Sequence, residues 1–362
     1  MSSGVSGAQL QRGFAAEIRD AVSTRATVLV IGVLLLQFGF IVSYVGALHH
    51  PYPHRASLAV VAPAQVGGQL VQQLNAIPKE PLDARPVADE ATARRQILDQ
   101  KVYAALLFDP SGKRDRLLVA NAAGPALATA MEQVVTGAEQ QQGRTVVTED
   151  LVPLASGDAE GLSSFYLAVG LCVGGYLVAS ILGISAGSRP ANRKRAVIRL
   201  VVLALYSVAA GLGGAVIVGP VLNALPGSVW ALWGSGALVV FAVGAITMAL
   251  ECLFDVVGIG LAVLLFVVLG NPSAGGVFPP PLMPPFWRAI GPWLPNGAGT
   301  SLARSIAYFD GTAITRPLLV LVVWAVVGVL VSLVATGIRP RGGRAAMPSE
   351  AVPPEALRPD PA

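Results

Sequence analysis

Six long apolar stretches constrain the fold of this chain more than any other feature. Each is close to the ~20 residues that a helix needs to cross ~30 Å of hydrocarbon. Only 13% of the residues are charged, whereas soluble domains contain about 25%. The sequence therefore predicts a mainly α membrane protein with six transmembrane helices in a lipid bilayer. The predicted spans are Ala26–Leu48, Ser164–Ala186, Val197–Gly219, Ser228–Leu250, Cys252–Gly270 and Arg316–Gly337.

The fourth and fifth spans are nearly continuous and resemble one long apolar run. A single helix over both would be about 65 Å long, roughly twice the hydrocarbon thickness. Glu251 and Asp255 are the only acidic residues of this run and lie near its middle. We therefore predict a tight hairpin whose turn places both carboxylates in water at the membrane surface. The alternative is a coupling site for ions or protons, because carboxylates within spans often mark proton relays.

Basic residues predict the orientation of the spans. One cluster precedes the first span, one lies between the second and third, and one follows the sixth, so all three fall on the same side. Because positively charged loops remain in the cytoplasm, both termini are predicted to be cytoplasmic. Arg far outnumbers Lys, as is typical of GC-rich bacterial genomes, and the predicted location is a bacterial plasma membrane. The middle cluster consists of Arg189, Arg193, Lys194, Arg195 and Arg199.

The two ends of the chain are predicted to lie outside the bilayer. Residues 1–25 are predicted to form a cytoplasmic amphipathic helix on the membrane surface, since Leu10, Phe14 and Ile18 recur every four residues. One alternative is a frayed tail. Another is a signal peptide that includes the first span, against which the length of both segments argues. Residues 338–362 are predicted to form a disordered cytoplasmic tail.

Residues 49–163 alternate strand and helix patterns and predict an extracytoplasmic α/β domain inserted between helices 1 and 2. The predicted helix "DEATARRQILDQ" has Asp89 as its N-cap and leads into the buried-strand pattern "VYAALLF". A later helix has Pro125 in its first turn and Gly143 just past its end, which is the usual asymmetry of helix ends. The rest of the chain up to the tail, residues 164–337, is predicted to form a five-helix transmembrane region.

This transmembrane region contains a predicted outer loop rich in proline and aromatic residues, 271–315. Its centre, "GVFPPPLMPPFWRAIGPWLPNG", cannot cross a bilayer as a regular helix because proline removes hydrogen-bond donors. The part "PFWRAIGPW" is predicted to form one short helix along the outer surface, since aromatic rings collect at the headgroup boundary. An SH3-type ligand, which "PPPLMP" resembles, is excluded by the predicted outer location. We predict an outer lid formed by Phe286, Trp287 and Trp293.

Motifs for ATP binding and for a catalytic zinc ion are missing from the sequence. It contains no G-x-x-x-x-G-K-[ST] phosphate loop and no H-E-x-x-H metal pair. No Lys/Arg-rich stripe indicates nucleic-acid binding. We therefore predict a protein that is not an enzyme, has no cofactor and binds no nucleic acid. Neighbouring imidazoles at His49, His50 and His54 are a weak candidate metal site, and the alternative is a plain interfacial loop.

Glycine is abundant within the predicted second and third spans. Small residues let helix backbones approach closely in membranes, so helix packing is the predicted role. The alternative is that these faces line a substrate path. The glycines concerned are Gly170, Gly174, Gly175, Gly211 and Gly214.

Three stretches carry a resemblance to a known family. They are "DEATARRQILDQKVYAALLF", "VPLASGDAEGLSSFYLAVGLCVGGYLVASILG" and "NPSAGGVFPPPLMPPFWRAIGPWLPNGAGTSLARSIAYFDG". In this order they resemble the ABC-2-type transporter membrane-domain superfamily, in particular its phage-infection-protein-like branch and related actinobacterial membrane proteins of unknown function. The resemblance implies one span, a large outer insertion and five further spans. It also implies export across the membrane by paired permease halves with a separate ATPase.

Three hypotheses for the function follow. The first is an ABC-2-type permease subunit that exports a hydrophobic or amphipathic molecule, forms a homo- or hetero-dimer and uses an ATPase subunit supplied in trans. The second is a non-transporting envelope or accessory protein whose outer domain binds a protein partner. The third is an ion-coupled exporter that uses Glu251 and Asp255.

Overall fold

We describe the fold from a computed structural model, which covers residues 24–336 of the chain. The predicted amphipathic helix at the N-terminus therefore lies almost wholly outside the described residues. The predicted tail 338–362 lies outside them as well.

Six helices in the described part of the chain are long and apolar enough to cross a membrane. This confirms the number of spans that the apolar stretches predict. Two of them continue for about one turn as wider π-helical segments, Ile217–Val221 and Leu264–Gly270. The regular parts are α1 (Thr24–Leu48), α5 (Ser163–Ala186), α6 (Arg193–Val216), α7 (Val229–Phe254), α8 (Val256–Val263) and α12 (Thr315–Ala335).

The third span begins four residues earlier than predicted because of a helix cap. Asn192 precedes α6, and its side-chain oxygen accepts a hydrogen bond from the Arg195 backbone N–H (2.9 Å). Such a cap satisfies one of the free N–H groups of a first helical turn. Three basic residues that the hydropathy pattern assigns to a loop, Arg193, Lys194 and Arg195, therefore form the first turn of the helix.

The predicted hairpin between the fourth and fifth spans is present, with its turn at a single residue. Asp255 ends α7 in a backbone conformation with φ of 56°. The chain then reverses so sharply that a Cβ on Gly258 would overlap the Leu250 carbonyl oxygen. The boundary predicted at residues 250–252 thus moves to Asp255, and Glu251 belongs to the last turn of α7.

Helix α7 is the centre of the transmembrane region. Two thirds of its most apolar stretch is buried (67%), compared with 6% for α1. It packs against α5, α6 and α12, whereas α1 contacts mainly the π-helical end of the fifth span. Helix α1 is therefore a peripheral helix with most of its apolar surface exposed.

A small α/β domain follows α1 in the chain and contains a five-stranded sheet in the order β2-β1-β3-β4-β5. Only the β3–β4 pair is antiparallel, and the other neighbours run parallel. Successive side chains of a strand point to opposite faces, and apolar side chains from β1 contribute to two cores, one on each face. The strands are β1 (Ala56–Val61), β2 (Leu82–Pro86), β3 (Ala104–Leu107), β4 (Arg114–Val119) and β5 (Thr145–Asp150).

Three helices cover this sheet. Helices α2 (Ala64–Asn75) and α4 (Pro125–Gln141) pack on one face, and α3 (Glu90–Leu98) packs on the other. The predicted caps are confirmed, since Asp89 accepts a hydrogen bond from the Thr92 backbone N–H (2.7 Å) and Gly143 has a positive φ of 70° beyond the end of α4.

The predicted loop 271–315 is largely helical. It contains α9 (Asn271–Ser273), α10 (Pro285–Ile290) and α11 (Pro295–Tyr308). Helix α10 confirms the single short helix predicted in "PFWRAIGPW", but the prediction of a loop around it is wrong for α11. Most residues of α11 are buried against the other helices, so burial stabilises a segment whose small and polar residues show little apolar periodicity.

The α/β domain and the basic α5–α6 loop lie at opposite ends of the transmembrane region. The domain packs on the 271–315 segment, since Leu282 joins one of its cores and Phe309 the other. Helix α5 starts beside the domain and ends at the basic loop, and its 24 residues correspond to about 36 Å at 1.5 Å per residue.

Candidate functional site

An open apolar groove of about 490 Å³ lies between α5 and α6. Its wall is mainly apolar, and two tyrosines add phenol groups. Binding sites for small molecules are typically concave and apolar with few polar groups, so this groove is the first candidate for a ligand path. The residues that shape it include Tyr166, Gly170, Gly174, Tyr206, Ala210 and Gly214.

Three of the predicted packing glycines create the space of the groove. A Cβ on Gly174 would lie 3.0 Å from the Tyr206 hydroxyl oxygen, and a Cβ on Gly214 would lie 3.0 Å from a methyl group of Leu167. No heavy atom of the described chain lies within 4 Å of the position of a Cβ on Gly170. Larger residues at these positions would narrow or fill the groove.

The other two predicted packing glycines lie at helix contacts with α7. A Cβ on Gly175 would lie 2.7 Å from the Val240 carbonyl oxygen, and one on Gly211 would lie 2.5 Å from the Ala237 nitrogen. The structure thus divides the five glycines into a groove group and a contact group, which the sequence pattern does not distinguish.

The basic α5–α6 loop contacts the α7–α8 turn. Arg189 donates hydrogen bonds to the carbonyl oxygens of Cys252 (2.8 Å) and Leu253 (3.1 Å). Arg199 is buried and donates to the Ala186 carbonyl oxygen (2.6 Å) at the end of α5. The three remaining residues of the basic cluster, Arg193, Lys194 and Arg195, are exposed.

The two acidic residues near this turn have different environments. Asp255 is exposed, as predicted for a surface turn. Glu251 is only 2% exposed, so the prediction that its carboxylate lies in water is wrong. The reason is that α7 continues past Glu251 to Phe254, which leaves this side chain within the packed helix rather than in the turn.

Of the three aromatic residues of the predicted outer lid, one is buried and two are exposed. Trp287 packs on Ala47 near the end of α1, while Phe286 and Trp293 are more than half exposed. The Arg316 guanidinium lies 4.7 Å from the Trp293 ring centroid, and the Trp324 indole N–H donates to the Trp293 carbonyl oxygen (2.8 Å). The segment is therefore attached to both the first and the last span.

The three histidines lie between α1 and β1. The rings of His49 and His50 are 4.5 Å apart, and the backbone N–H of His54 donates to the Pro281 carbonyl oxygen (2.8 Å). Across residues 24–336, no group of three or more His, Cys, Asp and Glu side chains is arranged to hold a metal ion. The structure therefore does not bring His49, His50 and His54 together as a set of three ligands.

A buried polar cluster joins the α/β domain to α11, and the sequence predictions do not include it. Arg304 is buried and donates to the Gly275 carbonyl oxygen (3.2 Å). The Gln100 side-chain amide donates to the Ser305 hydroxyl (2.8 Å), and Tyr103, whose pKa is raised by burial, lies nearby. The spacing of Arg304 and Tyr308, one helical turn apart in an otherwise apolar and small-residue segment, is the signal that could have revealed it.

A comparison with protein families shows what the chain is similar to. A family model described as ABC-2 family transporter protein matches residues 23–334. No curated protein matches the chain.

Proposed function

The chain belongs to the ABC-2 family of transporter proteins, and from this premise we propose that it exports a hydrophobic or amphipathic molecule with the help of a separate ATPase. A membrane domain of this family is a permease subunit rather than a catalytic unit. The sequence contains no phosphate loop of its own. A partner would therefore supply ATP hydrolysis.

The groove between α5 and α6 is the observation that carries the proposal. Its apolar wall suits a hydrocarbon or ring system, and Tyr166 and Tyr206 supply hydroxyl groups for one polar end. It starts at Ser163, beside the α/β domain, and runs along α5 as far as Gly174. A molecule moving along this face would meet few charged groups.

We further propose that both termini are cytoplasmic and that the α/β domain lies outside a bacterial plasma membrane. The positive-inside rule supports this orientation, because the basic loop occupies the end of the bundle opposite to the α/β domain. The exposed pair Phe286 and Trp293 would then lie at the outer headgroup boundary. In this orientation the 271–315 segment covers the outer end of the groove-forming helices as a lid.

The proposed surface for the ATPase is the basic α5–α6 loop together with the α7–α8 turn. Arg189 connects these two segments through two hydrogen bonds, so a force on one is transmitted to the other. The exposed side chains of Arg193, Lys194 and Arg195 offer positive charge to an acidic partner surface. A second permease half could cover α1, whose apolar residues are largely exposed.

Reconstitution with candidate ATPases from the same genome tests the proposal. We expect association, stimulated ATP hydrolysis and efflux of an amphipathic dye such as rhodamine 6G from cells. Gly170→Leu fills the groove and should reduce efflux at least tenfold while the ATPase still binds. Gly213→Leu is the matched control, since no described heavy atom lies within 4 Å of its Cβ position and it does not line the groove. Failure of every ATPase to associate would contradict the proposal.

A further inference from the structure

A second cavity, of about 340 Å³, lies near the α7–α8 turn. It is formed by the end of α5, the end of α7 and the start of α8. Its walls combine two carboxylates with aliphatic side chains. None of the described residues that line it also lines the α5–α6 groove. The residues that define it are Gly183, Ile184, Glu251, Asp255, Val256 and Ile259.

The carboxylate of Glu251 is the unusual feature of this cavity. It is 2% exposed, and its Oε1 has no hydrogen-bond partner within the described part of the chain. The Ser180 hydroxyl faces this carboxylate from α5 and is placed to donate to it, but it makes no well-formed hydrogen bond among residues 24–336. Buried polar groups in proteins are nearly always hydrogen-bonded, because an unsatisfied one costs free energy. An unpaired carboxylate that lines a cavity therefore indicates a ligand that pairs with it.

A glycine on the neighbouring helix brings the carboxylate to this place. A Cβ on Gly183 would overlap Glu251 Oε2, so only glycine leaves room for the side chain against α5. The same absence of a side chain opens the cavity beside Ile184. The position of the Glu251 carboxylate thus depends on both helices, because Gly183 of α5 leaves the space that the side chain from α7 occupies.

The nearby bases form hydrogen bonds with backbone carbonyl groups and no ion pair with Glu251, although the positive charge of Arg199 does act on it. The Arg199 guanidinium donates a hydrogen bond to the Ala186 carbonyl oxygen, and the Arg189 guanidinium donates hydrogen bonds to the carbonyl oxygens of Cys252 and Leu253. Asp255 adds a second carboxylate on the exposed side of the cavity. The cavity therefore presents an inner, buried carboxyl group and an outer, exposed one.

We propose that this cavity binds the positively charged end of an amphipathic organic cation. The ammonium or iminium group pairs with Glu251, Asp255 attracts it to the entrance, and the aliphatic part contacts Val256 and Ile259. A bare metal cation fits less well, since hard cations need six or more oxygen ligands. Within residues 24–336, no group of three or more His, Cys, Asp and Glu side chains is arranged to hold a metal ion. The role of the site in transport rests on the proposed permease function, and it narrows the substrate class to organic cations.

The test is binding of rhodamine 6G, a cationic dye, to the purified full chain in detergent without any ATPase. Its fluorescence anisotropy gives the Kd, and Nile red serves as a neutral probe of similar size. We expect Glu251→Gln to weaken rhodamine 6G binding at least tenfold and Asp255→Asn to weaken it two- to fivefold. Binding of Nile red should be unchanged. Asp310→Asn, which removes an exposed carboxylate far from the cavity, is the matched control.

Unchanged rhodamine 6G affinity in Glu251→Gln would overturn the inference, as would displacement of the dye by millimolar Na⁺. Gly183→Ala is a second variant that displaces the carboxylate without removing its charge, and it should also weaken binding. A thermal unfolding curve for each variant shows that the folded state is retained. If dye binding fails while an ATPase still associates, only the cation site is wrong. If binding follows the prediction while no ATPase associates, the permease function is wrong.

Discussion

The Tyr308 hydroxyl donates a hydrogen bond to the Asp158 carboxylate (Oη···Oδ2 2.7 Å) and so joins the end of α11 to the segment that leads into α5. The other oxygen of Asp158 accepts a hydrogen bond from the Ser163 backbone N–H (2.8 Å) at the start of α5. Asp158 is almost fully buried. One carboxylate thus connects the end of α11, the segment that follows β5, and the start of α5, which is the second span.

Removal of the Tyr308 hydroxyl tests this connection. In Tyr308→Phe the buried Asp158 carboxylate loses one of its two hydrogen bonds, which should destabilise the fold by about 1–3 kcal/mol. Tyr52→Phe is the control, since the Tyr52 hydroxyl is exposed and makes one long hydrogen bond to the Pro78 carbonyl oxygen (3.2 Å). Thermal unfolding in detergent measures both. Equal midpoints for the two variants would contradict the connecting role.

A buried carboxylate makes the stability of the α/β domain depend on pH. Glu139 is fully buried, and neither of its oxygens accepts a hydrogen bond from the described residues. The Arg144 guanidinium lies 3.6 Å away but is already paired with Asp115 (2.6 Å). Burial, together with the charge of Asp115, raises the pKa of Glu139 from its ordinary value of 4.5 to about 7.

The sign of the effect follows from this raised pKa. Between pH 4.5 and pH 7 the folded chain keeps the Glu139 proton and the unfolded chain releases it, so stability falls as pH rises. Each unit of difference in pKa corresponds to about 1.4 kcal/mol. Glu139→Gln should lose this dependence, and the stability of the wild type relative to the variant should decline steadily from pH 4.5 to pH 7. Glu80→Gln, at an exposed position, is the control. A difference between wild type and Glu139→Gln that stays constant over this range would contradict the assignment.

The contact between α6 and α7 offers a third prediction with a control on the same helix. Gly211→Ala would place a methyl group 2.5 Å from the Ala237 nitrogen and 2.8 Å from the Trp233 carbonyl oxygen. The helices must separate, and we expect a loss of about 1–3 kcal/mol, as for other overpacked sites. Gly213→Ala should be neutral or slightly stabilising, because no described heavy atom lies within 4 Å of its Cβ position and alanine favours a helix. Thermal unfolding of both variants checks this prediction, which fails if the two lose equal stability.

The number of spans could be predicted from the sequence because it depends on composition over ~20 residues. Boundaries depend on single residues, and Asn192 and Asp255 moved two of them. Helix α11 could not be predicted, since its helical state depends on burial against other helices. The burial of Glu251 could not be predicted either, because a glycine on a different helix, Gly183, makes the space for its side chain.

The orientation in the membrane gives the last prediction. Phe286 is exposed on the 271–315 segment, and Lys194 is exposed in the first turn of α6 at the other end of the bundle. The native Cys172 and Cys252 are both buried and should not react. If basic loops stay in the cytoplasm, a membrane-impermeant maleimide added to intact cells should label Phe286→Cys and leave Lys194→Cys unlabelled. Lysis should then make both positions react, which controls for accessibility. Labelling of Lys194→Cys alone in intact cells would reverse the orientation and place the α/β domain in the cytoplasm.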